Sequence, residues 1–146
     1  MVTNLISEAS PQLRFVAGDY TRLTRERCAC GRTHTRALGG FTGRSDDMLN
    51  VRGVTLFPSS VEDAVRRVPG VGDEFVIEIT RERELDVLTV KVEIPSDADG
   101  SALAAAVERE IRSRCELRPV VVTLPLGTLP PTLLKAKRVN DLRTQP

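Results

Sequence analysis

Two stretches of strict alternation constrain the fold of this chain more than any other feature. Phe75, Ile77 and Ile79 alternate with Val76, Glu78 and Thr80, and Leu88, Val90, Val92 and Ile94 alternate with Thr89, Lys91 and Glu93. A period of two sends successive side chains to opposite faces, so each stretch predicts a strand with one buried, apolar face. On either side the period lengthens. Val61, Val65 and Val68 share one helical face, Ser59 and Glu62 have capping-box spacing, and Pro69-Gly70 marks the stop. Leu103, Val107 and Ile111 line one face of a second predicted helix, from Ser101 to about Cys115, with charged residues opposite. Met48 to Phe57 reads as a strand pair or bent strand around Arg52-Gly53, where glycine permits a tight bend, and Val120 to Leu124 supplies the last strand. The order β-α-β-β-α-β predicts an α+β, ferredoxin-like sandwich, a helical layer over a mostly antiparallel sheet.

Before residue 45 the pattern dissolves. Met1 to Thr42 is rich in Arg, Thr and Gly, with only short apolar runs such as Leu13-Arg14-Phe15-Val16, and predicts an irregular or β segment that would struggle to fold alone. A chain of 146 residues, 40% hydrophobic, has material for one core and a short appendage. With 21 Lys and Arg against 20 Asp and Glu, there is no electrostatic case for a nucleic-acid or anionic-membrane partner. No basic stretch precedes a long apolar one at the N-terminus, and no run approaches ~18 apolar residues, so neither an export signal nor a span is expected.

Chemistry is sought in the turns, because loops on a rigid scaffold usually hold the sites. Nucleophilic catalysis finds no support: no Ser sits in a nucleophile-elbow pattern, His34 stands alone, and Asp46 and Asp47 point apart in an extended segment. Three Cys are too few and too oddly spaced for a disulfide framework, which predicts a reducing, cytoplasmic setting, with Cys115 a small core residue. Cys28-Ala29-Cys30-Gly31-Arg32-Thr33-His34 reads first as an ordinary turn, and it also offers thiolate and imidazole ligands suited to a structural zinc. Three ligands do not close a tetrahedral site, so zinc would need a fourth from elsewhere.

Three further segments are distinctive: Arg14-Phe15-Val16-Ala17-Gly18-Asp19-Tyr20, the run GRSDDMLNVRGVTLFPSSVEDAVRRVPG from Gly43 to Gly70, and Leu129-Pro130-Pro131-Thr132-Leu133-Leu134-Lys135-Ala136-Lys137-Arg138-Val139. Together they resemble the adenylate-forming enzymes of the phenylacetate–coenzyme A ligase family, and the resemblance runs from Arg14 to Arg143. It implies that residues 1–45 are the end of a large adenylation domain and residues 46–146 a mobile C-terminal domain. Asp19 would accept hydrogen bonds from the ribose hydroxyls of ATP or AMP, since a carboxylate offers two oxygens to a vicinal diol. Arg44 would contact the nucleotide's phosphate or ribose, Asp46 would be the hinge, and Arg52 and Gly53 would face CoA, although a plain surface role for Arg52 is equally open. Lys135 would bridge the substrate carboxylate and the α-phosphate during adenylation, with Lys137 as the fallback. The family has Gly directly before that lysine, whereas this chain has Leu134, which leaves room for a re-tuned or degraded loop.

The function so implied is activation of an aryl carboxylic acid with ATP and Mg2+, followed by transfer to CoA. The chain alone is expected to be inactive, because the phosphate loop and acid pocket of the family belong to the large N-terminal adenylation domain, its implied partner. The alternative is a free-standing, non-catalytic ferredoxin-like module that binds a separate ligase domain. In either case an apolar surface left uncovered would favour a homo-oligomer.

Overall fold

The computed structural model describes residues 3–4, 6, 8–9, 11–131 and 138–143. The chain divides into two compact units, Met1–Asp47 and Met48–Pro146.

The second unit is the expected α+β, ferredoxin-like sandwich. Its elements are β3 (Leu49–Val51), β4 (Val54–Leu56), α1 (Pro58–Arg66), β5 (Phe75–Glu82), β6 (Leu85–Ile94), α2 (Gly100–Cys115), β7 (Val120–Pro125) and β8 (Val139–Asp141). Antiparallel pairing sets Phe75 opposite Val92, Ile77 opposite Val90 and Ile79 opposite Leu88, so the alternating residues of both strands form one apolar face. Val61, Ala64 and Val65 of α1 and Val107, Ile111 and Cys115 of α2 close over it, and all these side chains are buried. The helices lie side by side.

Of the two forms expected for Met48 to Phe57 the structure has the strand pair, and two other details differ from the sequence reading. Arg52 (φ 53°) and Gly53 (φ 79°) both adopt left-handed backbone, which joins β3 to β4 in two residues. The sheet order is β7-β6-β5-β8, with β7 parallel to β6 and β8 parallel to β5. Its fourth strand is therefore β8, three residues too short to show a period. Helix α1 starts at Pro58 rather than with the Ser59–Glu62 capping pair. Proline needs no N–H partner in a first turn and holds Phe57, the N-cap, extended. Helix α2 is capped by Asp99, whose carboxylate accepts N–H bonds from Ser101 and Ala102 at 3.0 Å each.

The first unit contains β1 (Asp19–Thr24) and β2 (Arg36–Arg44), an antiparallel pair with an irregularity between Tyr20 and Arg22. Among its described residues no side chain is buried, and Leu23 and Phe41 stand 65% and 72% exposed. No helix among the described residues is long and apolar enough to cross a membrane.

Candidate functional site

The β1–β2 ladder makes neighbours of two motifs that are far apart in sequence. Its terminal register sets Asp19 opposite Arg44 and Tyr20 opposite Gly43. Beyond that rung the Ser45 N–H donates to the Gly18 carbonyl at 2.7 Å. Gly18 has φ +76°, and a Cβ there would lie 3.2 Å from Ser45 Oγ, so the Gly-Asp turn needs glycine for both backbone and space. The Asp47 N–H donates to the Arg44 carbonyl at 3.3 Å and tightens the turn that follows.

Within that turn Arg44 grips Asp46 with two prongs, Nε to Oδ1 at 2.9 Å and Nη2 to Oδ2 at 3.0 Å. The hydrogen bond from Arg44 holds the Asp46 carboxyl below the usual carboxylate range, and the same contact raises Arg44. Both side chains are more than half exposed, so water screens the pair and its contribution to stability is small. What the arrangement offers is a fixed cation with two of its five N–H donors in use, next to an exposed carboxylate on the opposing strand. Asp19, Arg44 and Asp46 are thus brought together at one end of one ladder.

Arg52 and Gly53 lie in the other unit, at the β3–β4 turn. Arg52 Nε donates to the backbone carbonyl of Asp86 in β6, so the side chain ties the turn to the sheet. The space around Gly53 is open, and its N–H donates to Asn50 Oδ1 at 3.2 Å. Lys135 and Lys137 lie outside the described residues, as does Leu134.

The chain on either side of residues 132–137 is firmly anchored, which the sequence reading missed. Glu93 is 4% exposed although it faces away from the helices, and its Oε1 accepts the Leu129 N–H at 2.6 Å. Arg138 lies 4.3 Å from the centroid of the Phe75 ring and pairs with Glu74 at 3.6 Å. Its carbonyl accepts the Ile77 N–H at 2.7 Å. After β8, Arg143 bonds Asp141 at 2.6 Å, Asp86 at 2.8 Å and the Asn50 carbonyl at 2.6 Å, joining β8, β6 and the β3–β4 hairpin. An acidic residue between Val92 and Ile94 was the available signal for Glu93; nothing short-range marks the arginines.

Cys28 and Cys30 sit in the segment joining β1 to β2 with their sulfurs 3.1 Å apart. The Cys30 backbone N–H, then its thiol, holds Cys28 below the ordinary thiol range, helped by the Arg36 charge. Among the described residues no three His, Cys, Asp or Glu side chains form a group able to hold a metal, so the Cys28, Cys30, His34 set is not assembled as a zinc site. The same statement covers Mg2+.

Residues 53–143 match the family model of the AMP-binding enzyme C-terminal domain. A phenylacetate-coenzyme A ligase of Thermus thermophilus is 38% identical to this chain, covering 97% of it and 36% of the relative. One from Aromatoleum evansii is 36% identical, covering 97% and 33%. The crystal structure of a 2-hydroxyisobutyryl-CoA ligase in the postadenylation state, in complex with 2-HIB-AMP, shares 33% identity over 90% of this chain and 29% of that one, with a TM-score of 0.76. The chain spans about a third of the length of the curated relatives it matches.

Proposed function

The chain belongs to the AMP-binding enzyme C-terminal domain family, in its phenylacetate–coenzyme A ligase form, and from that premise we propose that it works as the C-terminal portion of an aryl-acid–CoA ligase. The observation that supports this reading best is the rung of Asp19 opposite Arg44, a carboxylate and a guanidinium on facing strands, the two groups the scheme assigns to ribose and phosphate. In the first half-reaction an aryl carboxylate attacks the α-phosphate of ATP, giving acyl-adenylate and pyrophosphate. In the second the CoA thiol attacks the acyl carbon and releases AMP.

Each residue has a part in this scheme. The Asp19 carboxylate accepts the ribose hydroxyls, and Arg44 donates to phosphate. Arg44 holds Asp46 with two of its five N–H donors and keeps three for phosphate, so one guanidinium links the nucleotide to the hinge residue. The Arg52-Gly53 turn faces CoA, and Lys135 neutralises charge on the α-phosphate as pyrophosphate leaves. Mg2+ travels with the ATP phosphates and has no ligand set among the described residues of this chain. The large adenylation domain supplies the phosphate loop and acid pocket, so residues 1–146 by themselves do not turn over. Residues 1–45 end that domain, and residues 46–146 are the mobile one. Leu134, where the family has Gly, favours a second reading: a non-catalytic module that binds a separate ligase domain.

Joining the chain to the adenylation domain of its ligase and timing the half-reactions separately tests the proposal. Lys135→Ala should slow adenylation far more than thioester formation, and Asp19→Ala and Arg44→Ala should weaken AMP binding. Equal loss of both half-reactions, or no loss, would overturn the role of Lys135. A parent assembly that binds AMP but forms no adenylate points to the second reading.

A further inference from the structure

The β3–β4 hairpin forms a two-stranded sheet of its own, and two strands alone are marginal in water, so the Arg52-Gly53 turn depends on what ties it down. Val51 and Leu56 anchor its apolar side in the core. Its polar side converges on Asn50. The Asn50 side-chain oxygen accepts the Gly53 N–H at 3.2 Å, and the Asn50 backbone carbonyl accepts from Arg143 Nη1 at 2.6 Å. Arg143 is 93 residues away in sequence and is itself held by the sheet. Its Nε and Nη2 grip Asp141, the last residue of β8, at 2.9 and 2.6 Å, and the neighbouring Leu142 N–H donates to the Ile79 carbonyl of β5 at 2.8 Å. Nη1 also donates to Asp86 Oδ2 of β6 at 2.8 Å. One planar guanidinium thus serves β8, β6 and the hairpin at once, with its side chain only 18% exposed.

We propose that Arg143 is a positioning residue for the thioester half-reaction: through Asn50 it holds the Arg52-Gly53 turn where CoA meets it, and the proposal rests on the reading that this turn faces CoA. Arg143 acts by fixing the hairpin, not by touching CoA or the adenylate. Its fork shape is what the task needs, since three partners lie in three directions and a point donor cannot serve them together. Arg81 supplies the contrast. It also pairs with Asp86, at 3.1 Å, but has no bond to the hairpin among the described residues.

The test uses the chain joined to the adenylation domain of its ligase, with pyrophosphate release and single-turnover transfer of preformed aryl-adenylate to CoA timed separately. Arg143→Lys keeps the charge beside Asp86 and Asp141 but loses the fork. It should slow transfer about tenfold or more and raise the KM for CoA, because a misplacement of ~1 Å can cost ~100-fold, while pyrophosphate release stays within about twofold of the parent. Arg81→Ala should leave both half-reactions as in the parent. Amide exchange in the 146-residue chain adds a readout that needs no turnover: Arg143→Lys should speed exchange at Gly53 and leave Val90, in the core, unchanged. Equal slowing of both half-reactions, equal acceleration of exchange at Gly53 and Val90, or a defect in Arg81→Ala as large as that in Arg143→Lys would each overturn the proposal, because each describes support of the fold alone. Gly53→Ala separates this failure from failure of the underlying reading. If Gly53→Ala slows transfer and Arg143→Lys does not, the positioning role falls by itself; if Gly53→Ala leaves transfer untouched, the turn does not face CoA and the proposal falls with that reading.

Discussion

Val51, Ile77, Ile79, Val90 and Ile111 of the second unit have no exposed surface, whereas among the described residues of the first unit not one side chain is buried. The second unit is held by apolar burial on two facing layers. The first is held by a backbone ladder and hydrogen-bonded turns, with Tyr20, Leu23 and Phe41 open to solvent. Asp19 and Arg44, proposed to hold the ribose and phosphate of the nucleotide, lie in the first unit, and the sturdier packing lies in the second. A site that must grip and release a ligand gains from exposed, loosely supported side chains, while a domain that moves as a body gains from a dense core.

The sharpest way to break this comparison is to truncate one apolar side chain in each unit. Ile77→Ala removes a fully buried side chain and should cost about 2–5 kcal/mol in a denaturant titration. Leu23→Ala, on an exposed position of β1, should stay within about 0.5 kcal/mol. Equal costs would mean that Leu23 is covered and the contrast is false.

The next effect is electrostatic and confined to the second unit. The hydrogen bond from Arg143, then burial opposing it and Arg81 assisting, leaves the Asp86 carboxyl below its ordinary range, and Arg143 lowers Asp141 in the same way. A depressed folded-state pKa adds stability above the unfolded value, roughly pH 4, and that stability is lost as pH falls through the folded value. The melting temperature should therefore drop on acidification below about pH 4. Arg143→Ala should lower it at neutral pH and flatten its dependence below that point. An acid limb as steep in the variant as in the parent would show that other carboxylates govern it.

How far the sequence revealed all this differs between the units for physical reasons. Alternation and helical spacing report burial directly, so β5, β6 and the buried faces of both helices were legible. The Arg52-Gly53 turn was legible because Gly53 signals positive φ. The β5–β6 turn was not, because Arg83 (φ 46°) and Glu84 (φ 68°) adopt left-handed backbone without glycine or asparagine. Strand β8 escaped notice because its three residues are held by pairing with β5 and by the arginine that follows, contacts invisible locally. Within the candidate site, the Gly18-Asp19 and Gly43–Asp47 motifs were visible as motifs. Their meeting was not, since it depends on the register of an exposed ladder with no apolar period to set it.

A smaller effect separates local from packed stability at the entrance to α2. Asp99→Ala removes the acceptor for the Ser101 and Ala102 N–H groups and should cost about 1 kcal/mol, with Asp99→Asn recovering most of it. If the asparagine variant fails to recover, the cap acts through its charge rather than its hydrogen bonds.

The smallest global effect, and the most telling for the site, is expected from Gly18→Ala. At φ +76° an L-residue pays roughly 1–2 kcal/mol, and its Cβ would press on Ser45 Oγ from 3.2 Å. In the first unit this strain has no core to disrupt, so the unfolding midpoint of the second unit should not move. The cheapest relief is to open the hydrogen bond from Ser45 N–H to the Gly18 carbonyl, which should speed amide exchange at Ser45. The rung between Asp19 and Arg44 is next to that bond and should loosen with it. If exchange at Ser45 is unchanged while the second unit loses stability, the two units share their energetics, and the division between a packed body and a ladder-held site does not hold.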